Sequence, residues 1–240
     1  MDWQTTMRNN KDLTKYVYSF TLGDGSVVKD PRDNGNASFE EGKTEKNLDF
    51  LDFISDALSP ITSSKITLMS GSKGTVHEDV ICGVKCTVQP MYRLRTSRHP
   101  FFNPFRERLY STGNKIIDPH YLKLLDWEML AILYQDDGSI SHYISSSNKA
   151  YNTVELATHR YSYGDNLLLK KAIKETMDIE FNVCQVRRKD KLYYRLNLRQ
   201  KDVSKFIDGI SKFVLPSFEY KLNIFSNEVL QDENLDGDIV

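Results

Sequence analysis

One feature of this 240-residue sequence limits its fold more than any other: an apolar, helix-like run ends twice in aspartate and glycine. The first copy reads YVYSFTLGDG at residues 16–25, and the second reads LAILYQDDG at residues 130–138. After each copy come strand-like stretches, an amphipathic helix, a strand reading YRLRT or YRLNL, another helical stretch and a lysine. Features that recur in one order indicate an internal repeat. The sequence therefore predicts two similar halves.

Each half is predicted to follow the order α-β-β-α-β-β-α, which makes the fold class α+β. The first half is predicted at residues 1–118 and the second at residues 119–226, followed by a disordered acidic tail at residues 227–240. The second helix of each half is predicted from apolar residues at helical spacing, namely Leu48, Leu51, Ile54, Ala57 and Leu58, and then Leu168, Ala172, Ile173 and Met177.

Charge and cysteine content narrow the class of protein. The formal net charge is −1. Residues 227–240 carry acids and no lysine or arginine, and residues 38–56 are also acidic, so the positive charge is concentrated in residues 57–226, which suits contact with nucleic acid. Three cysteines argue against a disulfide framework, and we expect an intracellular, reducing compartment. No apolar run approaches the roughly 20 residues of a membrane span. The N-terminus lacks the apolar core of a signal peptide.

Strand alternation predicts a basic, hydrogen-bonding sheet face in each half. In LYYRLNLR the leucines alternate with polar residues, and in TVQPMYRLRT the arginines stand at alternate positions. In FNVCQVRRK, Gln185, Arg187 and Lys189 stand at alternate positions and are predicted to share a face. An ordinary half-exposed sheet gives the same alternation. However, guanidinium and amide groups are regularly spaced on this face in both halves, and this favours a surface that binds a nucleic-acid groove. The predicted DNA-contacting residues are Arg93, Arg95, Gln185, Arg187, Lys189, Tyr193, Arg195, Asn197 and Arg199.

The two acidic stops predict a metal site. If a pseudo-twofold axis relates the halves, the two apolar helices pack on it, with Ser19, Gly23 and Ala131 permitting close approach. Parallel helices would then bring Asp24 and Asp137 together, and two close carboxylates repel unless a cation lies between them. Oxygen ligands favour Mg²⁺, Ca²⁺ or Mn²⁺ over zinc. On an isolated motif, a helix terminus followed by a turn residue is the simpler interpretation.

At these residues the chain resembles the LAGLIDADG homing endonucleases in their single-chain, two-motif form, over residues 13–223. The resemblance implies two four-stranded antiparallel sheets that form a DNA-binding saddle. It implies catalytic, metal-binding acids at Asp24 and Asp137, with backbone contributions from Gly23 and Asp136, although Asp136 departs from the signature alanine. It also implies a lysine near each half-site, for which Lys115 and Lys221 are the candidates. A solvent-exposed lysine is the alternative for each.

The implied function is a site-specific endonuclease that hydrolyses one phosphodiester on each strand of a long, asymmetric duplex target and leaves 3′ overhangs. Mg²⁺ is the implied cofactor; we expect Mn²⁺ to substitute for it and Ca²⁺ to support binding without cleavage. A monomer is expected, because one chain already contains both halves. Two alternatives stay open, an RNA maturase that assists intron splicing and a catalytically silent DNA-binding regulator. The absence of splice-junction motifs speaks against an intein.

One segment fits no part of this scheme. Residues 71–85 are predicted to form a long loop or an extra hairpin of unassigned role. His77, Cys82 and Cys86 lie in or next to it, but the loose Cys-x₃-Cys spacing argues against a zinc site.

Overall fold

The computed structural model describes residues 10–30, 32, 34–81, 84–145, 149–188 and 191–224. The chain divides into two compact units. The first unit runs up to Tyr121 and includes Leu215–Ser217, and the second comprises Leu122–Val214 and the chain from Phe218 onward. The predicted tail at 227–240 lies outside the described residues. No helix in the described ranges is long and apolar enough to span a membrane.

The first unit contains a four-stranded antiparallel sheet with strand order β1-β2-β6-β3. A separate antiparallel hairpin, β4-β5, is inserted between β3 and β6. The elements of the first unit in chain order are α1 (Asn10–Leu22), β1 (Ser26–Val28), β2 (Ser38–Thr44), α2 (Leu48–Leu58), β3 (Ser64–Leu68), β4 (His77–Ile81), β5 (Val84–Val88), β6 (Met91–Thr96) and α3 (Asn103–Leu109). A short helix, α4 (Pro119–Leu122), follows at the boundary of the units.

The second unit repeats this plan, and its described residues include no counterpart of the hairpin. Its sheet is antiparallel with strand order β7-β8-β10-β9, so both sheets place their strands in the order first, second, fourth, third. The predicted α+β class and the two four-stranded antiparallel sheets are confirmed. The elements are α5 (Trp127–Asp137), β7 (Gly138–Ile144), β8 (Ala150–Leu156), α6 (Tyr163–Met177), β9 (Phe181–Arg188), β10 (Lys191–Leu198) and α7 (Val203–Ile210).

The core of the first unit lies between α1, α2 and one face of its sheet. The ring of Phe20 on α1 contacts Phe39 of β2 at 6.0 Å and Phe50 of α2 at 6.3 Å between centroids. The predicted α2 stripe is buried at Leu51, Ile54, Ala57 and Leu58, but Phe50 replaces Leu48 in the core. Each buried leucine, isoleucine or phenylalanine contributes about 1.5–3 kcal/mol to folding.

The core of the second unit lies between its sheet and helices α6 and α7. Leu196 and Leu198 of β10 are buried on this face, as predicted. On α6 the prediction of Leu168 is wrong: Leu168 is 40% exposed and its neighbour Leu169 is fully buried. Three consecutive leucines, Leu167–Leu169, leave the phase of the helix open, and packing against the sheet selects the last of them, Leu169.

The segment at 71–85 forms the second of the two predicted alternatives, a hairpin. Its base is tied to the sheet, because Met69 N donates to Met91 O at 2.8 Å and Met91 N donates to Ser72 Oγ at 2.9 Å. Cys82 lies outside the described residues. Within the described part of the chain, no group of three or more histidine, cysteine or acidic residues is placed to hold a metal.

Candidate functional site

Both motif aspartates lie where a helix gives way to a strand. Asp24 follows the last turn of α1, and its side chain is 47% exposed. Asp137 is the last residue of α5, and its Oδ2 atom is buried. The carbonyl of Asp137 accepts a hydrogen bond from Ala157 N at 2.7 Å, which joins the helix end to the end of β8. Each unit thus presents one carboxylate at the end of its motif helix. That the two acids meet stays a prediction.

The glycine after each acid is required by close packing. A Cβ on Gly25 would lie 2.6 Å from Phe20 O and 2.7 Å from Glu41 Oε2. A Cβ on Gly138 would overlap the ring of Tyr134. The strand can begin directly against the helix end only because no side chain stands there. The Asp-Gly stops therefore mark a tight helix-to-strand junction in both units.

Lys115 binds the C-terminal end of α1. Its ammonium donates hydrogen bonds to the carbonyl oxygens of Thr21, Gly23 and Gly25 at 2.7, 2.8 and 2.7 Å. The last carbonyls of a helix lack partners inside it and carry partial negative charge, so a cation there is stabilising. The Gly23 carbonyl, a predicted contributor to a metal site, is in this structure an acceptor for Lys115.

Lys221 makes the equivalent arrangement at the end of α5. Its ammonium donates to Gln135 O at 2.7 Å and to Gly138 O at 2.8 Å. The segment that carries Lys221 is fixed in turn, because the hydroxyl of Tyr134 donates to Lys221 O at 2.6 Å. Burial raises the pKa of Tyr134 well above its usual range, so this hydroxyl keeps its proton. Asp136 is half-buried in the last turn of the same helix.

Sequence reasoning missed a buried ion pair beside Asp24. Lys43 Nζ lies 2.8 Å from Glu41 Oε1 and 3.5 Å from Asp24 Oδ2. The side chain of Glu41 is fully buried and that of Lys43 is 9% exposed. The available signal was the phase of β2, because Glu41 and Lys43 alternate in step with the core residue Phe39 and so point to its covered face.

The open face of the first sheet, turned away from the unit's helices, carries Arg93 and Arg95 as predicted. Arg95 stands between Glu40 of β2 and Lys65 of β3 in the register of the sheet. Arg95 Nη2 donates to Glu40 Oε2 at 2.7 Å, and Arg95 Nε donates to the same oxygen at 3.2 Å. Arg93 stands opposite Gly42, two residues along the strand. Two guanidinium groups and one carboxylate therefore share this face.

The open face of the second sheet carries Tyr193, Arg195 and Asn197, also as predicted. Leu196 is buried between Arg195 and Asn197, which fixes the alternation of β10. Arg195 Nη1 lies 2.6 Å from Glu155 Oε2 on β8. This face thus repeats the combination of arginine and glutamate found in the first unit.

The predicted faces of Gln185 and Arg187 are wrong. In the register of β9 with β10, Gln185 stands opposite Tyr194 and Arg187 opposite Leu192. Directly paired residues of adjacent strands project to the same side. Tyr194 is on the side of α6, where its ring lies 5.3 Å from that of Tyr163. Gln185 and Arg187 therefore project to the helix side of the sheet.

The residues of β9 that share the open face of Arg195 are Asn182, Cys184 and Val186. Lys189 lies outside the described residues. Arg199, just beyond β10, forms an ion pair with Glu180 at 2.9 Å.

The donor atoms at both motif ends fit a hard divalent cation. Asp24, Asp137 and the nearby backbone carbonyls offer oxygen alone, which is the chemistry that Mg²⁺ and Ca²⁺ prefer. Mg²⁺ usually takes one or two carboxylates and completes its shell with water and phosphate oxygens. The described residues hold no complete protein cage for a metal. A nucleic-acid phosphate would be the natural source of further ligands.

Known proteins resemble the chain along most of its length. The model of the LAGLIDADG DNA endonuclease family matches residues 15–206. Uncharacterized protein MJ1098 of Methanocaldococcus jannaschii is 25% identical over 213 residues, which cover 89% of this chain and 74% of that protein. RecA of Mycolicibacterium flavescens is 24% identical over 212 residues, which cover 86% of this chain and 45% of that protein. The chain therefore spans less than half the length of that relative.

A structure of the homing endonuclease I-WcaI bound to its DNA recognition sequence shares the fold. It has a TM-score of 0.68 at 18% identity, and the match covers 92% of this chain and 89% of that chain. The matched family range covers α1 from residue 15 onward, all of α5 and both four-stranded sheets. The protein belongs to the LAGLIDADG DNA endonuclease family.

Proposed function

We propose that the protein is a site-specific endonuclease that cuts both strands of duplex DNA, hydrolysing one phosphodiester on each and leaving 3′ overhangs. One observation supports this most directly: each unit combines a motif carboxylate at a helix end with an arginine-bearing sheet face that its helices leave open. Family membership supplies the reaction class. We further propose that the protein acts as a monomer inside the cell.

In this proposal Asp24 and Asp137 hold divalent cations, with Mg²⁺ as the working ion. When bound, such an ion supplies a hydroxide-like nucleophile and stabilises the leaving 3′ oxygen. Ca²⁺, which accepts looser geometry, is expected to support DNA binding without cleavage. Lys115 and Lys221 keep an ammonium group at each site, where it balances phosphate charge and orients the carbonyls of the helix end.

The open faces supply recognition. Arginine pairs with the O6 and N7 atoms of guanine, and asparagine with adenine, in the major groove. Arg93 and Arg95 would read one half-site, and Tyr193, Arg195 and Asn197 the other. Because these two sets differ, the target is expected to be asymmetric.

A cleavage selection tests the proposal. Purified protein is incubated with a randomised duplex library, once with Mg²⁺ and once with EDTA, and the cut ends are sequenced. Mg²⁺-dependent cuts at one long motif with 3′ overhangs are expected. If no DNA is cut but DNA or a structured intron RNA is selectively retained, the protein is instead a regulator or a maturase.

The variants Asp24→Asn and Asp137→Asn test the assignment of the acids. Each should reduce cleavage by about a thousand-fold or more, because a neutral amide binds Mg²⁺ far more weakly than a carboxylate. Binding to the selected target in Ca²⁺ should stay within a few-fold of wild type. The matched control is Asp52→Asn, an exposed acid on α2, which should cut normally. Undiminished cleavage by either motif variant would contradict the assignment.

A further inference from the structure

Two glutamates occupy the same place in the two units. Ser26 and Ser139, each two residues after a motif acid, pair with Glu40 on β2 and Glu155 on β8. Both glutamates project to the open face of their sheet, and the side chain of each is 22% exposed. The repeat therefore retains a carboxylate at one position of the surface proposed to face DNA.

Each glutamate forms an ion pair with an arginine on the fourth strand of its sheet. Arg95 stands directly opposite Glu40 and gives it two donors, Nη2 at 2.7 Å and Nε at 3.2 Å. Arg195 reaches Glu155 diagonally, with Nη1 and Oε2 2.6 Å apart. The two units thus make the same ion pair through different register positions of the fourth strand, since Glu155 stands opposite Asn197. The recurrence of the pair in two different geometries indicates that the pair itself is what matters.

A carboxylate is electrostatically unfavourable on a surface that approaches phosphates, because it repels them and lowers the number of counterions released on binding. The benefit of keeping this carboxylate must therefore come from its effect on the neighbouring arginine. Guanidinium recognises a guanine edge through a planar fork of donors, and that geometry is useful only if the long side chain is held in place. Arginine has five N–H donors, so an arginine held by a carboxylate still has others to offer a base.

We propose that Glu40 and Glu155 are positioning residues that fix Arg95 and Arg195 for reading bases, and so set specificity in the two half-sites. This inference rests on the proposed DNA-binding function. It assigns the glutamates no contact with the reacting atoms. Their effect is to orient a donor fork, at the expense of some general affinity for DNA.

The test measures relative binding of the variants Glu40→Gln and Glu155→Gln to every single-base variant of the selected target, in Ca²⁺. Each variant should lose about ten-fold of discrimination at the base pairs where the partner variant, Arg95→Ala or Arg195→Ala, also loses it, because one oriented arginine is lost. Binding to non-specific duplex should instead tighten by about two- to five-fold, because one negative charge is removed. Glu40→Gln should alter only one half-site and Glu155→Gln only the other.

Charge-matched controls separate orientation from simple electrostatics. Glu45→Gln in the first unit and Glu175→Gln on α6 remove one exposed acid away from the open faces. They should leave the base-preference profile unchanged. A double-mutant cycle supplies a second readout: with Arg95 already replaced by alanine, Glu40→Gln should change the profile no further.

The outcomes are distinct. A Glu40→Gln base-preference profile identical to wild type, or a change in affinity that is equal for every single-base variant of the target, would overturn the positioning role. A wild-type protein that selects no DNA sequence at all would overturn the proposed function first, and the inference with it. Thermal unfolding of each variant verifies that the fold is intact.

Discussion

At the scale of single residues, both units place a lysine against the end of the motif helix and an arginine against a glutamate of the sheet. Lys115 and Lys221 both donate to carbonyl oxygens at the C-terminal end of a motif helix. Their position near the motif could be predicted from the sequence repeat, but their partners could not, since any long side chain reaches several acceptors. Whether these ammonium groups also polarise a water stays a prediction.

Asp118 offers a residue-scale test of stability. Its side chain is 9% exposed, accepts hydrogen bonds from Arg108 Nε at 2.6 Å and Nη2 at 3.1 Å, and accepts a third from His120 N. Burial alone would raise the pKa of this carboxyl, but the bonds from Arg108 and His120 outweigh it, and the pKa lies below its usual value. The contribution of Asp118 to stability is therefore present above about pH 4 and is lost as the pH falls through its lowered pKa.

Asp118→Asn should lower the free energy of unfolding by about 1–2 kcal/mol near pH 7, because it weakens charged hydrogen bonds at a buried carboxylate. The difference from wild type should shrink as the pH falls below about 4. Urea unfolding at a series of pH values measures both. Asp30→Asn is the matched control, since Asp30 pairs with Arg32 on the surface and exposed pairs contribute little. A pH-independent loss for Asp118→Asn would show that the effect comes from packing.

At the scale of elements, the sequence predicted strands well where apolar and polar residues alternate cleanly. In YRLNL the buried Leu196 and Leu198 fix the face of Arg195, and the structure agrees. In FNVCQVRRK apolar residues fall at both odd and even positions, so either face was compatible with the pattern. Phe181, fully buried at the start of β9, decides the phase. Neither local alternation nor charge could reveal this, because the decision depends on packing against α6 and α7.

The register of β9 gives an element-scale prediction. Arg195→Ala should relax base preference in one half-site by about ten-fold at one or two positions, because Arg195 lies on the open face. Arg187→Ala should leave the profile unchanged, since Arg187 projects to the helix side. Both substitutions remove one positive charge from neighbouring strands of the same sheet, so each controls for the other. Binding selections on a library mutated across the target provide the measurement. Equal effects of the two substitutions would contradict the assigned faces.

At the scale of the whole molecule, the repeat was readable in the sequence because it involves the same elements in the same order over both units. The differences between the units could not be read from the sequence. Given that Glu40 and Glu155 correspond, Leu156 stands where the first unit has the buried Glu41. A charged pair thus lies beside the motif acid at a position that the second unit fills with an apolar residue. Strand alternation places Glu41 on the covered face of its sheet, but it does not show that Lys43 neutralises Glu41 there, which depends on the three-dimensional packing.

The distribution of charge along the whole chain gives the last prediction. Residues 227–240 contain acids but no lysine or arginine, and their removal makes the formal net charge positive instead of −1. A chain that ends at residue 226 should bind non-specific duplex about three- to ten-fold more tightly at 50 mM salt, because fewer negative charges oppose the phosphates. The gain should vanish near 0.5 M salt, where screening acts over only a few ångströms.

Fluorescence anisotropy across a salt series measures this effect, and the design must separate charge from chain length. A full-length variant with every acid in 227–240 changed to its amide keeps the length and removes the charge. It should match the truncated chain at each salt concentration. If it instead behaves like wild type while the truncated chain binds more tightly, the segment acts through its bulk. If neither variant differs from wild type at 50 mM salt, the acidic segment does not oppose DNA binding, and the basic surface of the two units acts unopposed.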